Sequence, residues 1–327
     1  MLEQILDKAV RLDASDIHLT VGQPPFFRIN GELRPINVAT MKERTIESFL
    51  DVLLTPRLRD ELQKKLAVDF SYVDEQLSRR FRVNVYYQRK MPAIAIRLIA
   101  RDIPALDDLG APAVLKKFFD ATQGLILVTG RTGSGKSTTL AAFLNELCRT
   151  RRCHLLTLED PIEFEYTAIG SFISQRELGQ DFLNFADAIR TAMREMPDVL
   201  LIGEIRDAQT MHAALEASAA GVLVLATLHT RSAAETAMRV ETMFPLVQRD
   251  AIRDLFADEF TAIISQQLVK TENGRQCAAE VLIANPAARS LIRQGKYVQL
   301  PNVILSGRAQ GMQTMDAALK QLGIVQP

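Results

Sequence analysis

Residues 125–138, LILVTGRTGSGKST, decide the fold. The first four are apolar and, with Thr129, read as a buried strand. Gly130 to Ser137 then fit G-x-x-x-x-G-K-[ST], and a helical pattern runs from about Lys136 to Arg149. A strand, a glycine loop and a helix in that order make a cradle for phosphate. The loop from Gly130 through Thr132, Gly133, Ser134 and Gly135 bends so that backbone N–H groups point inward at phosphate oxygens. The helix that follows adds the partial positive charge of its N-terminus. Lys136 is expected to reach the β- and γ-phosphates, the Ser137 hydroxyl to ligate Mg²⁺, and Thr138 to help at the α-phosphate. Fewer than roughly one chain in a hundred of this composition would match by chance. The guanine-specifying N-K-x-D is absent, and so is S-G-G-Q. ATP with Mg²⁺ is therefore the expected ligand.

Working outward, three more apolar runs end in polar residues. Residues 199–202, VLLI, are followed by Gly203 and Glu204. A buried strand that delivers a carboxylate beside Mg²⁺ and the attacking water has this form, so Glu204 is a candidate for both, acting on the metal through water. Residues 154–158 lead into Glu159, Asp160, Glu163 and Glu165. Side chains at a strand's carboxyl end face the ligand crevice of an open α/β sheet. Carboxylates there hold Mg²⁺ waters or take a proton from water. Residues 222–227 run into His229, a candidate to contact the γ-phosphate or relay its loss. His18, His154 and His212 have weaker settings and read as structural. Strands alternating with helical patterns predict a mostly parallel sheet covered on both faces.

Residues 1–100 read differently, as a smaller α+β domain. Leu2, Ile5, Leu6, Ala9 and Val10 repeat at helical spacing. Residues 26–29 and 33–36 flank Asn30-Gly31, a hairpin signal. Thr40 with Glu43 three residues later predicts a capping box, and Thr55-Pro56 predicts a helix start. Residues 81–87 alternate as a half-buried strand that pairs with 93–99. The stretch 101–112, with two prolines, a glycine and three acids, reads as a linker to a second domain over 113–327.

Composition narrows the function. The 39 basic and 39 acidic residues cancel, which argues against a bulk polyanion binder, so no nucleic acid is expected. The longest uncharged apolar-rich run, 217–230, falls short of the roughly 20 residues that span a bilayer. Glu3 and Asp7 break up the apolar N-terminus, against a secretory signal. Cys148, Cys153 and Cys277 lack C-x-x-C spacing and read as reduced thiols, so a cytoplasmic location is expected.

Four stretches, GRTGSGKST, TLEDPIE, LLIGEIRD and ATLHT, resemble in order and spacing the Walker A, Asp box, Walker B and His box of the secretion ATPases. Within them the likeness is to the PilT/PilU family of type IV pilus ATPases, and it covers nearly the whole chain. ASDIHLTVGQPPFFRINGELRPI, ISQRELGQD and GMQTMDAAL carry it outside the four boxes. The resemblance implies a PAS-like N-terminal domain, a RecA-like P-loop NTPase domain and a homohexamer. It implies ATP between the two domains, with Arg82 and Arg97 of the first reaching the phosphates. It suggests Glu163 as general base and Glu204 as the acid supporting Mg²⁺, although the residues alone leave that division open. Arg194 and Arg206 are weaker candidates. The implied function is ATP-driven pilus retraction and twitching motility, at the cytoplasmic face of the inner membrane. The implied partners are a membrane-embedded platform protein and a second PilT-like ATPase. Alternatives are a PilU-like accessory motor, a related secretion ATPase, or a nucleotide-gated structural component. Two departures stand out. Retraction motors carry A-I-R-N-L-I-R-E where this chain has AARSLIRQ, with Gln294 in place of the acid. The tetracysteine element of the extension motors is not matched by the three scattered cysteines.

Overall fold

A computed structural model describes residues 1–99, 102–167, 170–271 and 274–324. The chain divides into two compact units, Met1–Asp102 and Ile103–Pro327. Residue 101, where the expected linker begins, lies outside the described residues.

The first unit is α+β. It contains α1 (Leu2–Arg11), β1 (Ala14–Thr20), β2 (Phe26–Ile29), β3 (Glu32–Pro35), α2 (Glu43–Leu53), α3 (Pro56–Lys65), β4 (Ala67–Asp74), β5 (Arg79–Gln88) and β6 (Met91–Leu98). The six strands form one antiparallel sheet in the order β3-β2-β1-β6-β5-β4. Leu2, Ile5, Leu6 and Ala9 of α1 and Ile46, Phe49, Leu50 and Leu53 of α2 share a core with Ile17, Phe27, Phe81, Val83 and Ile94 of the strands. The β2–β3 turn has φ of 52° at Asn30 and 84° at Gly31, the two positive values that this two-residue turn needs. Thr55 caps α3 by accepting from the Leu58 N–H at 3.3 Å. The capping box expected at Thr40 is not formed. α2 starts at Glu43, after Lys42, with no side-chain cap. The reason is that Met41 is still tied to the loop after β1, donating to Gln23 O at 2.8 Å and accepting from Gly22 N at 2.9 Å. That holds Thr40 outside the helix.

The second unit is α/β. Its strands are β7 (Gly124–Thr129), β8 (His154–Glu159), β9 (Phe172–Glu177), β10 (Val199–Ile202), β11 (Leu223–Leu228), β12 (Phe260–Thr271) and β13 (Gly274–Ile283). Its helices are α4 (Lys136–Thr150), α5 (Phe185–Ala192), α6 (Ala208–Ala219), α7 (Ala233–Thr242), α8 (Arg249–Glu259), α9 (Pro286–Arg293), α10 (Leu300–Ser306) and α11 (Met315–Gln321). The sheet order is β13-β12-β7-β11-β10-β8-β9, parallel throughout except for β13 against β12. Alternate residues of one strand face opposite layers. Leu125 and Leu127 pack with Ile189, Met211, Leu215 and Phe256 of α5, α6 and α8. Ile126 and Val128 pack with Leu140, Phe143, Leu144 and Leu147 of α4. A sheet covered on both faces demands apolar residues at every position, which is why these strands read as continuous runs. Being parallel, β7, β8, β10 and β11 open their carboxyl ends on the same edge.

Candidate active site

The glycine loop leaves β7 at Gly130, with φ of 147°. A Cβ there would fall 2.2 Å from Gln266 O and 2.6 Å from Ser134 Oγ, so only glycine fits against β12. The loop closes at Gly135, φ 85°, which caps α4 without any side chain. The N–H groups of the first turn of α4 are thus left to a ligand. Lys136 folds back over the loop. Its Nζ donates to Gly130 O at 2.9 Å and Arg131 O at 3.1 Å, and lies 3.5 Å from His229 Nδ1. Burial lowers its pKa, against the upward pull of Glu204 and Glu163.

An ammonium only donates, so His229 Nδ1 accepts and its Nε2 carries the hydrogen. Nε2 lies 2.9 Å from Glu204. Glu204 accepts from Arg206 at 3.0 Å, and Arg206 reaches Asp160 at 3.3 Å. Burial works to raise the Glu204 carboxyl, but Arg206, then His229 and Lys136, outweigh it and hold it below the ordinary carboxylate value. One polar chain, loop carbonyls–Lys136–His229–Glu204–Arg206–Asp160, therefore crosses the ends of β7, β11, β10 and β8. Glu163 is half-buried on the loop after β8, and its charge is felt by Lys136.

Ser137, exposed on the first turn of α4, and Glu204 present hard oxygen donors of the kind Mg²⁺ takes. Among the described residues no cluster of three or more His, Cys, Asp or Glu side chains is able to hold a metal by itself.

Arg82 and Arg97 are direct neighbours across β5 and β6. Arg82 pairs with Asp69, and Arg97 with Asp16 at 2.9 Å. With His18 and Asn84 they line a groove of about 300 Å³ within the first unit. Arg194 and Arg206 differ: Arg206 joins the polar chain, and no contact of Arg194 with it is seen among the described residues.

Sequence reasoning missed Gln266. Its Nε2 donates to Ser134 O at 2.7 Å, bracing the glycine loop from β12. Ser265 beside it bonds Thr129 at 2.8 Å, and Thr230 bonds Thr236 at 2.7 Å beneath the His229 segment. The signal was present: Ser265-Gln266 interrupts an apolar run at buried positions.

Glu159, the first of the acids that follow β8, is set apart from the others by its burial. It is only 7% exposed, and burial pushes its carboxyl up to about 7 against hydrogen bonds from Thr157, Gln175 and the Glu163 N–H. Raised above its unfolded value of 4.5, it keeps a proton in the folded chain that the unfolded chain releases. Its contribution is thus most favourable below pH 4.5 and is lost as pH rises to about 7. Glu159→Gln is expected to remove a loss of up to roughly 3 kcal/mol across that window. Denaturant titrations at pH 5 and pH 8 check this. A variant with the same pH 5-to-8 difference as wild type would refute it.

This site is a P-loop nucleotide site on a parallel α/β sheet. The family described as type II/IV secretion system protein matches residues 1–309. The twitching motility protein of Neisseria gonorrhoeae is 43% identical over 308 residues, 93% of this chain and 82% of that protein. The type IV pilus retraction ATPase PilT of Pseudomonas aeruginosa is 39% identical over 322 residues, covering 98% and 93%. The crystal structure of the pilus retraction motor PilT with bound ADP matches with a TM-score of 0.87 at 39% identity, over 97% of this chain and 95% of that one. The chain belongs to the type II/IV secretion system protein family, and its fold is that of the secretion ATPases: a smaller PAS-like α+β domain before a RecA-like P-loop domain.

Proposed function

We propose that this protein is an Mg²⁺-dependent ATPase motor that works as a homohexamer to retract type IV pili. In this reading residues 1–100 and 113–327 are its two domains, joined by 101–112. The observation that carries the reading is the polar chain from Lys136 through His229 and Glu204 to Asp160. It brings an ammonium of the phosphate loop, a histidine and a carboxylate at the end of a buried strand to one edge, an arrangement suited to nucleotide hydrolysis. The names of the relatives, a twitching motility protein and a pilus retraction ATPase, supply the work that hydrolysis drives.

The loop N–H groups and the N-terminus of α4 bind phosphates, and Lys136 moves its charge from the carbonyls of its own loop to the β- and γ-phosphates. Ser137, and Glu204 through water, would hold Mg²⁺, which supplies charge neutralisation on the phosphates when bound. Glu163 takes the proton of the attacking water. His229, bonded to Lys136 and Glu204, relays loss of the γ-phosphate. Arg82 and Arg97 exchange their carboxylate partners for phosphate oxygens, whose geometry suits a guanidinium. The motor acts peripherally at the inner face of the inner membrane, on a platform protein and alongside a second PilT-like ATPase, with no nucleic acid. Among the described residues no helix is long and apolar enough to cross a membrane.

Complementation tests this. A strain lacking the gene should lose twitching motility and recover it with the wild-type gene, but not with Arg82→Ala. A deletion strain that twitches normally would refute the retraction role. Gln294 favours one second reading, an accessory PilU-like motor. It ends α9 with its Nε2 on Ser290 at 2.9 Å, where retraction motors carry an acid. Loss of motility only when a second PilT-like gene is weakened would support that reading.

A further inference from the structure

The loop that carries Glu163 is held from below by side chains of two neighbouring strands. β8 and β9 run parallel with Thr157 opposite Gln175 and Glu159 opposite Glu177. These positions share one face of the sheet, because alternate residues point the same way. Three of the four then grip the loop, each at a different backbone group. Glu159 Oε2 accepts the Glu163 N–H at 3.4 Å. Gln175 donates to Phe164 O at 2.8 Å and accepts the Tyr166 N–H at 3.0 Å. Glu177 Oε2 accepts the Ile162 N–H at 3.2 Å. The fourth, Thr157, sits behind, donating to Glu159 Oε1 at 2.7 Å, the oxygen that Gln175 Nε2 also reaches at 3.3 Å.

A loop fixed at consecutive backbone groups is a means of aiming a side chain, and this one aims Glu163. We infer that Thr157, Glu159, Gln175 and Glu177 are a positioning clamp that holds the Glu163 carboxylate in place for the hydrolytic step. The inference rests on the reading of Glu163 as general base. None of the four clamp residues is assigned contact with the nucleotide.

The bonding leaves the clamp intolerant of an amide at Glu159. Both carboxylate oxygens accept, from Thr157 and Gln175 on one side and Glu163 N–H on the other. A glutamine offers one acceptor oxygen and one donor NH₂. Its NH₂ must therefore face either the Glu163 N–H or the Gln175 NH₂. Gln175 has no relief by flipping, because its own oxygen and NH₂ are committed to Tyr166 N and Phe164 O. Donor then meets donor, and the loop shifts.

The test compares full-length wild type, Glu159→Gln, Gln175→Met and Glu163→Gln for ATP turnover, ADP affinity and melting temperature at pH 8. Glu159→Gln and Gln175→Met should each lose roughly 10- to 100-fold in kcat, the cost of misaiming a catalytic group. KM and ADP affinity should stay within about twofold, since the phosphate loop is untouched. Glu159→Gln should also melt no lower than wild type, because it removes a buried charge. Slower turnover in a chain that is no less stable separates aiming from damage. Wild-type kcat in both clamp variants, or a KM rise equal to the kcat loss, would overturn the clamp while leaving Glu163 as base if Glu163→Gln is inactive. A fully active Glu163→Gln would overturn both.

Discussion

Lys136→Ala is expected to cut ATP turnover to below about 1% of wild type, because a charged donor aimed at the transferring phosphoryl is worth roughly 10²–10³ in rate. The side chain is 8% exposed and already pinned to Gly130 O and Arg131 O beside the site. It is therefore already ordered beside the site and loses little conformational freedom when it exchanges those carbonyls for phosphate oxygens. Its removal also takes away a positive charge that Glu204 and Glu163 both feel. Two carboxylates and the phosphates would then face each other without it. Binding of Mg²⁺-ATP should weaken together with kcat, in contrast to the clamp variants. Phosphate release at saturating ATP is the measurement. Lys136→Gln, which keeps a donor to the loop carbonyls, controls for collapse of the loop. If either variant turns over at the wild-type rate, the phosphate-loop assignment falls.

Glu163→Gln is expected to lower kcat by roughly 10²–10⁴-fold, the range for loss of a positioned general base. Glutamine keeps the size of the side chain, and the backbone N–H bond to Glu159 is unaffected by the change. Nucleotide affinity should therefore hold, and the variant should trap ATP in single-turnover experiments. Glu204→Gln is the informative comparison. Glu204 is bonded to His229 at 2.9 Å and Arg206 at 3.0 Å, so its loss disorganises the polar chain as well as the metal side. Nucleotide affinity should fall with it. A Glu163→Gln variant with wild-type kcat, or one whose defect is in ATP binding alone, would reverse the division of roles.

How much of this was legible beforehand depended on whether the signal was local. The glycine loop was legible because each residue answers to one local demand: positive φ, an open helix start, an ammonium. β7, β8, β10 and β11 were legible because burial on both faces makes them continuously apolar. β9 was not. FISQRE is polar at most positions, since it is a sheet edge whose side chains clamp a loop or meet solvent. The β12–β13 hairpin was not legible as a partner of the glycine loop: the polar pair Ser265-Gln266 in an apolar run marks a special position, but the pairing of β12 with β7 that brings Gln266 to Ser134 is a long-range choice. The capping box at Thr40 failed for a similar reason. A contact between Met41 and Gln23 overrode a favourable local signal. Partners of charged groups, such as Arg82 with Asp69 across β4 and β5 and Arg206 with Asp160 in the loops after β10 and β8, followed only from which strands lie side by side.

The bond from Gln266 to Ser134 joins residues 132 apart in the chain. A ribosome adding about 5–20 residues per second needs on the order of ten seconds to cover that distance. Throughout that interval β7 has no β12 on its flank, and the glycine loop stands without its brace. A polypeptide interrupted between positions 138 and 265 thus bears the nucleotide motif but lacks the support beneath it. The brace of the glycine loop is therefore among the later contacts that a growing chain is able to make.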